Sequence, residues 1–183
     1  MNIGIFGGSF NPPHLGHLRA AEFFAASRCL DRVFVFPAGL SPLKEAKADI
    51  SDEDRLALCH LTFSQELYEV RDWELTRTGP SYTIDTLKHV RELYPAAKLF
   101  LLVGEDQYAQ FRLWKDWRVI LELAELVVLP RFEEDASGFA PLPVSSTQIR
   151  AGLAANKDVS QYLTPQALKY IKEERLYDPT GLP

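Results

Sequence analysis

Two uninterrupted apolar runs constrain the fold of this chain more than any other feature. They are Val33-Phe34-Val35-Phe36 and Leu99-Phe100-Leu101-Leu102-Val103. Strands that are apolar at every position are typical of a parallel sheet that is covered on both faces. Together with the other apolar segments, they predict five strands, which are Asn2–Phe6, Arg32–Phe36, Leu67–Leu75, Lys98–Val103 and Glu125–Leu129.

Helical patterns lie between and after these strands. The predicted helices are Leu15–Ser27, Ser51–Phe63, Tyr82–Tyr94, Trp114–Leu123, Ser146–Ala155 and Pro165–Leu176. This alternation predicts an α/β fold with a Rossmann-like, doubly wound parallel sheet. We expect a single domain over residues 1–183, with loops at Gly39–Asp49 and Phe132–Pro143, and a ligand crevice formed by the connections that follow the strands.

The composition argues against several classes of protein. Of the 183 residues, 46% are hydrophobic and 25% are charged, as in an ordinary globular domain. The net charge of −5 argues against a general nucleic-acid binder, which needs clustered Lys and Arg, but is compatible with a small nucleotide. Cys29 and Cys59 have no metal-binding spacing, and we expect reduced thiols. With no signal peptide and no membrane-length apolar run, we expect a cytoplasmic protein.

The stretch Gly7–His17 follows the first strand directly and is the most informative motif. It contains a glycine turn, two prolines and then two histidines, His14 and His17, where a helix is expected to begin. A strand, a glycine turn and a helix start commonly bind phosphate, because the helix offers free backbone N–H groups and partial positive charge. His14 and His17 would share one helix face. A metal pair or two surface histidines remain alternatives at this point.

The common phosphate-binding motifs do not occur. The chain contains no GxxxxGK[ST], so it is not a P-loop protein, and no GxGxxG follows the first strand. An NAD-dependent dehydrogenase is therefore disfavoured, and any phosphate must be bound by a different loop.

Two further segments combine a helix start with polar side chains. Ser145 or Ser146 is a natural N-cap, and Arg150 lies one turn later, which suits a polyphosphate or simply a capped helix with a solvated arginine. In Gly79–Thr86, a Gly-Pro turn leads into a helix whose hydroxyls and amides could hold a carboxylate. An ordinary turn with capping residues explains this second segment equally well.

A fourth segment, Gly104-Glu105-Asp106, follows the most apolar strand. An acidic residue just after a strand often binds ribose hydroxyls. Trp114 and Trp117 follow and could stack on a heteroaromatic ring, although helical aromatics more often belong to the core.

Taken together, these four segments resemble one family. Gly7–His17 resembles the N-terminal signature of the HxGH nucleotidyltransferases, and Val144–Arg150 resembles their second signature, I-S-S-T-x-x-R. The block Gly79–Thr86 narrows the resemblance to the bacterial nicotinate-nucleotide adenylyltransferases. The resemblance covers essentially the full chain and implies a fold of the nucleotidyltransferase type.

The resemblance implies transfer of AMP from ATP to nicotinate mononucleotide, giving deamido-NAD and pyrophosphate in NAD biosynthesis. The nucleophile is then a substrate phosphate, so no strong general base is needed, and Mg²⁺ carried with ATP would bridge the phosphates. The implied partners are ATP and nicotinate mononucleotide, without nucleic acid or membrane. The sequence leaves homo-oligomerisation open.

The resemblance also implies roles for individual residues. The implied catalytic residues are His14, His17, Lys44 and Arg150. The implied ATP-binding residues are Gly7, Gly8, Ser9, Phe10, His14, His17, Lys44, Gly104, Asp106, Ser146, Thr147 and Arg150. The implied acceptor-binding residues are Tyr82, Thr83 and Trp114, and no protein ligand for a metal is implied.

Two residues depart from the family pattern. Asn11 replaces the more usual aspartate, and Leu43 stands where a histidine is common beside the basic Lys44. Lys44 is therefore expected to carry more of the phosphate binding, so that Lys44→Ala raises the KM for ATP. Two alternatives remain open: a sister enzyme acting on nicotinamide mononucleotide or phosphopantetheine, and a non-catalytic nucleotide-binding module on the same fold.

Overall fold

The sheet that the apolar runs predict is present and entirely parallel. A computed structural model describes residues 1–40, 50–130 and 138–178. Its five strands are β1 (Asn2–Gly8), β2 (Arg32–Pro37), β3 (Tyr68–Val70), β4 (Lys98–Gly104) and β5 (Glu125–Leu129). Their spatial order is β3-β2-β1-β4-β5. The predicted α/β doubly wound fold is confirmed.

Helices connect the strands and follow the last one. The α-helices of the described residues are α1 (Leu15–Ser27), α2 (Asp52–Thr62), α3 (Thr83–Leu93), α4 (Glu105–Tyr108), α5 (Trp117–Leu123), α6 (Ser146–Ala154) and α7 (Pro165–Glu173). Short 3-10 turns occupy Phe111–Leu113 and Ser160–Tyr162. No helix within the described ranges is long and apolar enough to cross a membrane.

The strands bury alternate side chains on opposite faces of the sheet. In β2, Val33 and Val35 belong to the cluster that α1 covers, together with Phe24. Phe34 and Phe36 belong to the opposite cluster, which α3 and α5 cover. This two-sided burial explains why the runs are apolar at every position. A third cluster joins α2, α6 and α7, with Leu58, Ile149 and Ile171 fully buried.

Three predicted elements were too long, and one helix was missed. The predicted helix Pro165–Leu176 ends at Glu173, shortly before Arg175, which has a φ of +53°. The predicted strand Leu67–Leu75 is only the edge strand β3, because the chain turns at Asp72, whose carbonyl accepts from the N–H of Leu75 at 2.8 Å. The predicted helix Trp114–Leu123 begins at Trp117, because Asp116 has a φ of +52°, which a helix interior cannot accommodate. The short helix α4, directly after β4, was not predicted.

Candidate active site

The candidate site lies where the strand order reverses. β1 pairs with β2 on one side and with β4 on the other, so the connections after β1 and β4 lead away from the sheet in opposite directions. In open α/β sheets, ligands bind in the crevice that this divergence opens at the carboxyl ends of the strands. Gly7 and Gly8 end β1, and Gly104 ends β4, so both predicted glycine segments border this crevice.

The loop after β1 is shaped by a residue in an uncommon conformation. Phe10 has a φ of +44°, and its side chain is buried against Phe6 and Phe63. A Cβ on Gly8 would lie 3.0 Å from the Phe10 ring, so a side chain at this position would force the ring to shift. Because the Phe10 side chain lies in the core, any contact of Phe10 with a nucleotide must come from its backbone.

Side chains from two helices hold the carbonyl groups of this loop. Arg55 of α2 donates from Nη1 to the carbonyl of Ser9 at 2.8 Å. Arg150 of α6 donates from Nη1 to the carbonyl of Asn11, also at 2.8 Å. The hydroxyl of Ser146 donates to the carbonyl of Pro12 at 2.9 Å. These bonds place the start of α6 against the loop between β1 and α1, as the predicted phosphate site requires.

The two histidines form a single unit at the start of α1. His14 is the N-cap residue, and its ring stacks on the ring of His17 with the centroids 3.7 Å apart. The backbone N–H of His14 donates to Nδ1 of His17 at 3.2 Å. A neutral ring that accepts at Nδ1 carries its proton on Nε2, so we assign His17 as an Nε2–H donor.

The glycine between the histidines allows this stacking. A Cβ on Gly16 would lie 3.0 Å from the His14 ring and 3.2 Å from Cγ1 of Val144. Contacts this short force the neighbouring groups to move. Gly16 therefore allows the first signature to pack closely against Val144, which precedes the N-cap residue of α6.

The structure decides which serine caps α6. Ser145 accepts from the N–H of Gln148 at 3.2 Å, and its own N–H donates to Oε1 of Gln148 at 2.8 Å, which is a reciprocal capping box. Ser146 is therefore free of the capping role and bonds to Pro12. Thr147 is exposed in the same first turn. The N-termini of α1 and α6 thus face one loop, with two partial positive charges beside it.

Asn11, one of the two departures from the family pattern, has a specific partner. The hydroxyl of Tyr177 donates to Oδ1 of Asn11 at 2.7 Å. Asn11 is buried, so its amide oxygen needs such a donor. Sequence reasoning missed Tyr177, because the two residues are 166 positions apart and nothing local marks the contact.

The predicted acceptor segment begins α3. Gly79 has a φ of +89°, and Tyr82 is the N-cap of α3, with Thr83 as its first helical residue. The side chain of Tyr82 makes no capping hydrogen bond at this helix end. The amine of Lys115 lies 4.5 Å from the centroid of the Tyr82 ring and 3.8 Å from Oδ1 of Asp85. A cation and an uncapped helix N-terminus suit a carboxylate ligand.

Trp114 lies on the same side of the sheet as Tyr82. Both pack against the cluster that α3 and α5 cover, and the Trp114 ring is 5.3 Å from that of Phe111. Within the described part of the chain, Nε1 of Trp114 is buried without a hydrogen-bond partner. Trp117 is half-buried in the same cluster. The position of Trp114 is therefore compatible with both interpretations, core packing and stacking on a substrate ring.

The remaining predicted ATP-binding residues are Gly104, Asp106 and Lys44. Gly104 is the N-cap of α4, and Asp106 stands in its first turn, with Oδ1 3.1 Å from where a Cβ on Gly104 would lie. Lys44 and Leu43 fall outside the described residues. Among the described residues, no group of three or more His, Cys, Asp or Glu side chains is arranged to hold a metal ion.

Arg55 was also missed, although the sequence carried a signal for it. It is 2% exposed and also pairs with Asp52 at 2.6 Å. The buried residues of α2 are Arg55, Leu58, Cys59 and Thr62. This spacing is that of one helix face, so an arginine at its first position marks a buried guanidinium that needs partners.

Comparisons with known proteins agree on one family. The sequence model of the cytidylyltransferase-like family matches residues 5–152. A probable nicotinate-nucleotide adenylyltransferase of Chlorobaculum tepidum is 39% identical over 195 aligned residues, covering 97% of this chain and 99% of that protein. One of the same name from Leptospira interrogans is 38% identical and covers 95% of this chain and 96% of its own length.

Solved structures show the same fold. The crystal structure of a Vibrio parahaemolyticus protein, described as a nicotinate-nucleotide adenylyltransferase, has a TM-score of 0.78 at 26% identity and 98% coverage of both chains. A Plasmodium falciparum nicotinic acid mononucleotide adenylyltransferase, solved with NaAD, has a TM-score of 0.72 at 18% identity, covering 96% of this chain and 97% of its own. The second likeness concerns the fold alone.

Proposed function

The chain belongs to the nicotinate-nucleotide adenylyltransferase family, and we propose that the crevice between β1 and β4 is where it carries out that family's reaction. In this reaction, the phosphate of nicotinate mononucleotide attacks the α-phosphate of ATP, and AMP is transferred. The products are deamido-NAD and pyrophosphate. The observation that carries this assignment to the crevice is the stacked pair His14 and His17 at the N-terminus of α1, whose preceding loop is also bonded to the N-terminus of α6.

The chemistry needs positioning and positive charge rather than a general base. The second pKa of a phosphate monoester is about 6, so the nucleophile is already largely dianionic near neutral pH. The barrier comes from bringing two anions together and from the charge that develops on the leaving pyrophosphate. Fixed N–H donors reduce both contributions to the barrier, because they are already oriented toward the phosphates and need no reorganisation during the reaction.

We assign the phosphate groups of ATP to the loop after β1 and the start of α6. His17 presents Nε2–H to the α-phosphate, and His14 stacks on it and fixes its ring plane. Lys44, Ser146, Thr147 and Arg150 hold the β- and γ-phosphates in this proposal. Arg150 and Ser146 each also bond to a loop carbonyl, so they orient the loop as well as serving the nucleotide.

The nucleoside and the acceptor take the other borders of the crevice. We assign the adenosine to the end of β4, at Gly104 and Asp106. The nicotinate carboxylate is assigned to the uncapped start of α3 at Tyr82 and Thr83, with the indole of Trp114 over its ring. The amine of Lys115 beside Tyr82 favours a carboxylate over a carboxamide, which supports nicotinate over nicotinamide mononucleotide.

We propose that the divalent cation enters as part of the nucleotide substrate, as Mg²⁺ bound to the ATP phosphates. Magnesium commonly retains several water ligands and is bound through substrate phosphates with few protein groups. The donor set that the described residues offer at the crevice, imidazoles, hydroxyls and a guanidinium, suits phosphate oxygens rather than the ion itself. We also retain two expectations from the sequence, a cytoplasmic location and small-molecule partners without nucleic acid.

An acceptor comparison tests the proposed function. The purified protein is incubated with ATP and Mg²⁺ and, separately, nicotinate mononucleotide, nicotinamide mononucleotide or phosphopantetheine, and the products are separated by chromatography. We expect deamido-NAD and pyrophosphate in equal amounts, with the highest kcat/KM for nicotinate mononucleotide. A higher kcat/KM for either other acceptor contradicts the assignment, and the absence of turnover with all three favours a non-catalytic nucleotide-binding module.

A further inference from the structure

Glu74 is a buried carboxyl group that the proposed mechanism does not use. It follows the edge strand β3, and it is only 7% exposed. Burial raises the pKa of its carboxyl above the ordinary value, against the opposing effect of its hydrogen bonds. A carboxyl that loses its hydration in this way is unfavourable unless its position is well supplied with donors.

Two hydroxyls from the acceptor segment supply those donors. Oγ1 of Thr86 donates to Oε1 of Glu74 at 2.6 Å, and the side chain of Ser81 also hydrogen-bonds to this carboxyl. Ser81 directly precedes the N-cap residue Tyr82, and Thr86 lies one turn into α3. The carboxyl therefore ties together both ends of the first helical turn that carries Tyr82 and Thr83.

The same cluster is anchored to the end of β2. The N–H of Gly39 donates to Oγ of Ser81 at 3.0 Å, and the N–H of Ser81 donates to the carbonyl of Leu40 at 2.8 Å. A Cβ on Gly39 would lie 2.6 Å from the carbonyl oxygen of Glu74. The chain after β2, the turn after β3 and the start of α3 thus meet at Glu74.

From this geometry we propose that Glu74 is a positioning residue for the acceptor: it holds the uncapped first turn of α3 in place against the end of β2. The proposal rests on the proposed function, since it takes Tyr82 and Thr83 as acceptor-binding residues. Glu74 does not touch the acceptor itself. Its effect passes through Ser81 and Thr86, and the charges of Arg77 and Asp85 lie close enough to act on it.

The test separates the two substrates kinetically. In Glu74→Gln, the amide keeps the size of the side chain but has one acceptor oxygen in place of two. The hydroxyls of Ser81 and Thr86 therefore no longer each have a carboxylate oxygen to which they can donate. We expect the KM for nicotinate mononucleotide to rise about tenfold, while the KM for ATP stays within about twofold, because the change displaces only the acceptor turn. Asp72→Asn, at an exposed carboxyl in the same turn, is the matched control and should change neither KM.

A purely structural role would give a different result. It predicts a lower Tm with both KM values unchanged, or with both raised equally, and either outcome overturns the proposal. If Glu74→Gln does not fold, Thr86→Val removes one donor without changing the shape of the side chain, and it should raise the KM for nicotinate mononucleotide selectively. If the wild-type protein forms deamido-NAD but neither variant shows this selectivity, the inference fails while the proposed function stands. If the wild type forms none, the proposed function itself fails.

Discussion

At the scale of single residues, the two signature histidines act as one group. Their rings stack at 3.7 Å, and the backbone of the first donates to the second. This arrangement fixes the plane of the His17 ring and directs its Nε2–H away from the bonded Nδ1. A preorganised neutral donor of this kind stabilises charge that develops in the transition state more than charge already present in bound ATP.

We therefore expect His17→Ala to impair turnover far more than binding. The kcat should fall about a hundredfold or more, while the Kd for ATP stays within about tenfold. His60→Ala, at an exposed histidine of α2, is the control and should change neither value. Steady-state kinetics with an ATP-binding titration measure both, and full activity without His17 contradicts the assigned role.

Tyr177 offers a second test at this scale. Tyr177→Phe removes one hydrogen bond to the buried amide oxygen of Asn11, and the loss of one such bond costs about 0.5–1.5 kcal/mol. Because Asn11 belongs to the loop between β1 and α1, to which we assign the ATP phosphates, we expect a lower Tm together with a several-fold fall in kcat/KM for ATP.

Tyr170→Phe is the matched control for this variant. It deletes a hydroxyl that donates to Asp54 of α2 at 2.9 Å instead of to the loop between β1 and α1. It should lower the Tm without changing kcat/KM. Equal kinetics for the two variants would show that Tyr177 has no influence on the loop.

At the scale of elements, the candidate active site is formed largely by the N-termini of helices. The N-termini of α1 and α6 meet at the loop after β1, and the start of α3 borders the acceptor side. Each N-terminus offers backbone N–H groups that no helical carbonyl can satisfy. In the proposed function, anionic substrates satisfy them, so helix capping and substrate binding would depend on the same residues.

Capping of α6 should therefore affect ATP binding. Ser145→Ala removes the reciprocal cap, at a cost of about 1 kcal/mol in the free energy of unfolding, and loosens the turn that carries Ser146. We expect a rise in the KM for ATP. Thr164→Ala removes the corresponding cap of α7, where Oγ1 accepts from the N–H of Ala167 at 3.3 Å, and should lower stability alone. An ATP KM that Ser145→Ala leaves unchanged contradicts this view of α6.

At the scale of the whole molecule, strand order decides where these elements meet. β1 is central, and its neighbours β2 and β4 carry connections that pass to different faces of the sheet. Residues that are 139 positions apart, Arg150 and Asn11, come within 2.8 Å as a result. The buried Glu74 is a further consequence, because it lies where the chain after β2, the turn after β3 and α3 converge.

Glu74 should also make the free energy of unfolding of the whole protein depend on pH. Its pKa is raised in the folded state, so its contribution to stability is fully present below the unfolded pKa and is lost as the pH rises through the folded pKa. Relative to Glu74→Gln, the wild type should therefore lose free energy of unfolding as the pH rises above the ordinary glutamate range. Urea unfolding of both proteins across a pH series measures this difference. A difference that grows with pH in favour of the wild type would show the opposite sign.

Local patterns were enough to predict the class of fold. Apolar runs such as Leu99–Val103 indicate a buried parallel strand because both faces must be covered, and this holds in the structure. The strand Leu67–Leu75 was predicted too long, since apolar composition alone does not show that the chain turns at Asp72. Whether the assigned residues bind ATP and the acceptor as proposed stays a prediction.

What the sequence determined by itself was most of the elements and the two signatures, because periodicity, glycine turns and helix caps are local. What only the tertiary structure decided was the partnership between distant groups. In the contacts of Arg55 with Ser9, of Tyr177 with Asn11 and of Glu74 with Ser81 and Thr86, at least one polar partner is buried. Such contacts form because a buried polar group must find a donor or an acceptor nearby in space, and the order of the strands sets which residues those are.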